Sequence, residues 1–87
     1  MSEQSDELSH RALAMLRAVA ERRAMMSGSC EPDLFIDGFA CCDQVTAHAL
    51  ARAGYLRPAE APARPGARVR AELTPAGWAA VGVVAAA

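Results

Sequence analysis

Apolar positions in the first third of the chain recur in steps of three and four residues. Leu8, Ala12, Met15, Leu16, Val19 and Met26 fall on one face of a helix predicted over residues 6–26. Ser5 supplies an N-cap hydroxyl, Asp6 and Glu7 complement the positive end of the helix dipole, and Arg22 and Arg23 suit its last turn. Ser27-Gly28-Ser29 then stops the helix. The next segment leaves two readings open. Glu31-Pro32-Asp33 fits the opening of a short helix. Leu34-Phe35-Ile36 followed by Asp37-Gly38 fits a short strand and a turn, which is the preferred reading. A second helical pattern covers residues 39–53. Its apolar stripe is Cys42, Val45, Ala49, Leu50 and Ala53, while Gln44, Ala47, His48, Ala51 and Arg52 face elsewhere. Gly54 stands where a left-handed C-terminal residue is expected.

From Tyr55 the period changes to two. Tyr55-Leu56-Arg57 reads as a strand, and residues 58–66 as a loop rich in Pro and Ala. In Arg68–Leu73, Val69, Ala71 and Leu73 share one face and Arg68, Arg70 and Glu72 the other. The whole of residues 55–73 is therefore a predicted hairpin. Thr74 then caps a last helix over residues 75–85 with Pro75 at its first position. That helix is apolar almost all round, so either the first helix or a second subunit must cover it. Its coverage by a partner predicts a homodimer through the first and last helices.

Eighty-seven residues, 53% apolar and 22% charged, fit a single folded domain. All nine basic residues are arginine and 21 positions are alanine, a bias that GC-rich coding would produce. The net charge of −1 is an average over unlike halves. Residues 1–43 hold four Arg against eight acids, whereas residues 44–87 hold five Arg against Glu60 and Glu72. No apolar run approaches the roughly 18 residues that span a bilayer, and the polar, acidic start MSEQSDELSH is unlike a secretory leader. Cytoplasmic placement is expected, where three cysteines remain reduced.

The order of helix, glycine, short strand, arginine-bearing loop, alternating strand, Thr-Pro and helix is carried by "VTAHALARAGYLRP" and "RVRAELTPAGWAAV". These segments resemble winged helix-turn-helix regulators of the MarR, PadR and ArsR-like families, which often read L-x-x-x-G-Y/L-L/I and later L-T-x-x-G. Here those positions are Leu50, Gly54, Tyr55 and Leu56, then Leu73, Thr74 and Gly77. The resemblance covers residues 43–82 and implies an α+β fold: a small winged helix-turn-helix domain, mainly helical, with a β-hairpin wing. Ser27–Cys42, sixteen residues, would hold its first strand, second helix and turn.

The resemblance further implies a dimeric transcriptional regulator that binds double-stranded DNA. Gln44, Thr46, His48 and Arg52 on the recognition helix would meet bases or backbone, and Arg64, Arg68 and Arg70 would be wing contacts. The alternative is a protein-interaction winged helix without DNA binding. A third reading is a thiol or metal sensor using Cys30, Cys41, Cys42 and His48. Neighbouring Cys41 and Cys42 would point about 100° apart on a helix, so no metal is assigned. Cys42 lies on the predicted core stripe, which leaves Cys41 as the better sensing thiol. Asp33, Asp37 and Asp43 read as turn and capping groups. No nucleophile or base accompanies them, and neither enzymatic activity nor a cofactor is expected.

Overall fold

A computed structural model describes residues 8–28 and 32–82. Eight elements follow in order: α1 (His10–Ala20), β1 (Ala24–Ser27), β2 (Leu34–Ile36), β3 (Phe39–Ala40), α2 (Gln44–Arg52), β4 (Leu56–Pro58), β5 (Arg68–Leu73) and α3 (Pro75–Val81). The strands form one sheet in the order β3-β2-β1-β5-β4, with every neighbouring pair antiparallel.

This layout overturns the mainly helical winged helix-turn-helix expectation. Where that fold needs its second helix, the chain makes the β2–β3 hairpin. Asp37 (φ 55°) and Gly38 (φ 88°) both lie in the left-handed region, and Ile36 pairs with Phe39 across them. Two consecutive left-handed residues suit a two-residue hairpin turn and cannot continue a right-handed helix. The described residues make an α+β fold, with three short helices against five strands.

The first helix is also shorter than its periodicity suggests. Ser9, within the predicted span, is its N-cap and accepts the Ala12 amide at 3.0 Å. Ser5, Asp6 and Glu7 lie outside the described residues. Arg22 turns left-handed (φ 67°) after the helix, and Ala24–Ser27 becomes the strand β1. Met26 therefore points inward by strand alternation and not as the next step of a helical stripe.

One face of the sheet carries the core. Ala24, Met26, Leu34, Leu56, Ala71 and Leu73 are buried against Ala12, Met15, Leu16 and Val19 of α1 and Ala47 and Leu50 of α2. Half-buried Trp78 and Val81 bring α3 onto the same cluster. The last helix thus packs on α1 and β5 of its own chain, with Pro75, Ala76 and Ala79 exposed. Its predicted extension over residues 83–85 lies outside the described residues.

Helix α2 sits with a different face inward than its apolar stripe predicts. Ala47 and Leu50 are buried and Gln44, His48 and Ala51 half-buried, whereas Val45, Ala49 and Ala53 are exposed. Small alanines let the helix approach the core closely, and Gln44 is held by the β2–β3 hairpin. The cysteines exchange places accordingly: Cys41 packs against the core and Cys42 is exposed. Cys30 lies outside the described residues.

Asp43 starts α2 and joins it to α1. Its carboxylate accepts the Thr46 hydroxyl at 2.6 Å, the Thr46 amide at 3.0 Å and the Arg11 guanidinium at 3.0 Å. These bonds, those from Thr46 foremost, hold its pKa at about 2 against an ordinary 3.8. A depressed carboxyl pKa adds stability that is complete above the unfolded value and is lost as pH falls through the folded one. Between about pH 4 and pH 2, Asp43→Asn should therefore narrow the acid-induced fall in melting temperature, because Asn still caps but does not titrate. Parallel melting curves for the two proteins across that range would contradict this.

Candidate functional site

The sheet face opposite the core is built by strand alternation. Along β5, Val69, Ala71 and Leu73 point into the core, so Arg68, Arg70 and Glu72 point out. Register extends this row. Arg70 lies opposite Met25, Met25 opposite Phe35, and Phe35 opposite Ala40, which crosses four strands with outward side chains. Arg68 lies opposite Ser27. The serine is short, and its hydroxyl accepts the Asp33 amide at 2.8 Å. Arg68 reaches past it to place its guanidinium carbon 3.8 Å from the centroid of the Phe35 ring. This is a cation–π contact at van der Waals distance.

The charges on this side divide into two groups. Arg57 bonds Glu72 at 2.7 Å, and Arg23 bonds Asp37 at 2.9 Å and also Glu21, so their fields are largely neutralised within the chain. Asp37 and Glu21 raise the pKa of Arg23, and the Arg23 guanidinium lowers that of Asp37. Among the described residues no ion pair joins Arg64, Arg68 or Arg70 to an acid. Arg64 belongs to the β4–β5 loop, which is fastened to the end of β1. Gly66 donates to Gly28 O at 3.1 Å, Gly28 donates to Ala67 O at 2.9 Å, and Ala67 donates to Arg64 O at 3.0 Å. The three exposed arginines therefore stand on one anchored hairpin.

The residues expected on a base-reading helix are placed differently. Gln44 spends its amide on the backbone: its Oε1 accepts Leu34 N–H at 2.9 Å, and its Nε2 donates to Leu34 O at 2.9 Å and Cys41 O at 2.8 Å. Thr46 is bound to Asp43, and His48 Nε2 lies 2.9 Å from Asp33 Oδ1. Arg52 is exposed at the end of α2. Arg64, Arg68 and Arg70 are thus brought together on the hairpin, while Gln44, Thr46 and His48 are occupied inside the chain.

Phe35 and Met25 complete the surface and were not among the expected site residues. Leu34-Phe35-Ile36 is too short for alternation to be read from it, and Met25 sits in a segment with helical spacing. Their signal was the chain's register, which only pairing reveals.

Other surfaces offer less chemistry. A groove of about 360 Å³ between α1 and α2 is lined by Leu8, Ala12, Val45, Ala49, Leu50 and Tyr55 among others, and no carboxylate, histidine or thiol lines it. Among the described residues no group of three His, Cys, Asp or Glu side chains is placed to hold a metal ion. No helix among them is long and apolar enough to cross a membrane. Comparison with protein-family models, with curated proteins and with solved structures finds no match.

Proposed function

We propose that the protein is a cytoplasmic nucleic-acid-binding module that grips the phosphate backbone with Arg64, Arg68 and Arg70. One observation carries this reading: three exposed guanidiniums on a single anchored hairpin, none paired with an acid among the described residues, in a chain whose net charge is −1. Guanidinium matches phosphate geometry with parallel N–H donors, and unpaired it keeps that capacity for a ligand. Base reading by α2 plays no part, because the polar groups at its start are held within the chain. Binding is accordingly weakly dependent on sequence and strongly dependent on salt.

Fluorescence anisotropy with labelled duplex and single-stranded oligonucleotides tests this. Three phosphate contacts give a log–log salt slope of about −2 to −3. Replacing Arg64, Arg68 and Arg70 together by alanine should weaken binding by about 30-fold or more and flatten that slope. No binding to any nucleic acid near physiological salt, or an unchanged slope in the variant, would refute it. A protein-docking module is the alternative, favoured by the 78% exposure of Val45 beside the α1–α2 groove. The arginine substitutions would leave that docking intact.

A further inference from the structure

We infer that the open sheet face takes unpaired nucleotides in preference to a duplex, with a base stacked on the Arg68–Phe35 pair. The inference rests on the nucleic-acid reading above and names the form of nucleic acid that this surface fits. A face that only attracted phosphate would need exposed cations and nothing more. This one sets a cation directly over an aromatic ring, 3.8 Å from its centroid, with Met25 as the next neighbour in the row and Arg70 beyond it. Phe35 and Met25 are only half-buried, on the side of the sheet that does not carry the core.

Each part of the arrangement has a use for a single strand. The ring fixes the long Arg68 side chain, which would otherwise lose rotamer freedom on binding. The guanidinium it supports is a planar, weakly hydrated surface on which a base can stack, as bases do on aromatic rings and arginine planes. Arg70, two residues along the same strand and on the same face, reaches a backbone phosphate flanking that base. Arg64 on the anchored loop extends the cationic track. In a duplex the base faces are stacked on each other and closed to such contact, so only the phosphate interactions remain. Stacking is tolerant of sequence, because every base has a π face. This agrees with an α2 whose first polar side chains are held within the chain.

Anisotropy titrations of the unmodified protein test the inference with three probes carrying equal numbers of phosphates. These are an oligothymidine strand, an abasic strand of tetrahydrofuran spacers, and a duplex. Oligothymidine should bind about tenfold more tightly than the abasic strand and more tightly than the duplex. Phe35→Leu, which keeps an apolar side chain beside Met25, and Arg68→Lys, which keeps the charge but not the plane, should each remove most of that advantage. Phe35→Leu should leave abasic binding nearly unchanged, whereas Arg68→Lys should weaken abasic binding as well, its oligothymidine and abasic affinities converging. Equal affinity for oligothymidine and abasic strands would overturn stacking while leaving backbone binding in place. Preference for the duplex would overturn it as well. Absence of binding to all three probes would overturn both readings together.

Discussion

Gly77→Ala is expected to destabilise the fold by about 2–3 kcal/mol, although the substitution normally favours a helix. In an open helix position alanine is better than glycine by about 1 kcal/mol. At Gly77, however, an added Cβ would lie 2.1 Å from the Tyr55 carbonyl oxygen and 3.0 Å from Leu73 Cδ2. That carbonyl is backbone and already accepts the Thr74 amide at 3.1 Å, so it cannot swing aside without breaking the joint between β4 and α3. Thr74 locks the same joint from the other side. Its hydroxyl donates to Gly54 O and accepts the Gly77 amide at 3.1 Å. Relief therefore requires α3 to lift from the sheet, which loosens Trp78 and Val81 from the core cluster. Chemical denaturation followed by far-UV circular dichroism measures the effect. A Gly77→Ala protein as stable as the parent, or more stable, would contradict the close approach. Ala79→Gly at an exposed position of the same helix should cost only about 1 kcal/mol.

Gln44→Ala is expected to cost about 2 kcal/mol of stability and to leave nucleic-acid affinity of the folded protein unchanged. The side-chain amide behaves as a missing strand. It meets both the N–H and the C=O of Leu34, as a neighbouring backbone would, and also the C=O of Cys41. Truncation leaves Leu34 N–H and Cys41 O without that partner, while Leu34 O keeps the Cys41 amide, and the uncompensated desolvation of the first two, not lost attraction, sets the cost. Gln44→Glu should not rescue stability at neutral pH, since a carboxylate would face two carbonyl oxygens. If Gln44 instead touched bases, the alanine variant would keep its melting temperature and lose affinity. Paired thermal melts and anisotropy titrations separate the two outcomes.

Much of the second half was legible in sequence, and the structure gives the reason. Period-two alternation in Arg68–Leu73, Gly54 after a helix, and Thr74-Pro75 before one each report a local backbone requirement. The two short patterns ending at Tyr55-Leu56 and running through Leu73, Thr74 and Gly77 prove to be the two halves of one joint. Thr74 and Gly77 close against Gly54 and Tyr55, so much of the signal in these patterns reports packing. The first half was harder. Met26 continues a helical spacing, but it and Met25 pair with the nearby β2 and with β5, which is distant in sequence, and nothing local distinguishes those outcomes. Asp37-Gly38 was readable as a turn, yet it replaced a helix that the resemblance required. Of the arginines of the candidate site, Arg68 and Arg70 were visible as an exposed alternation and Arg64 as part of the loop before it. Phe35 was not, because its neighbours in the row come from β1 and β3 and the guanidinium over its ring from β5.

The pairing of β1 with β5 sets a timetable for the newborn chain. Met25 meets Arg70, and Met26 meets Val69, so the centre of the sheet joins segments about 45 residues apart. While the ribosome still holds β5, β1 lacks one of its two neighbours and the inner faces of Met26 and Leu34 lack part of their cover. Long-range closure of this kind is slow relative to helix formation. The polypeptide is therefore expected to acquire protease resistance only after Leu73 has cleared the exit tunnel, in one late step and not by gradual accretion.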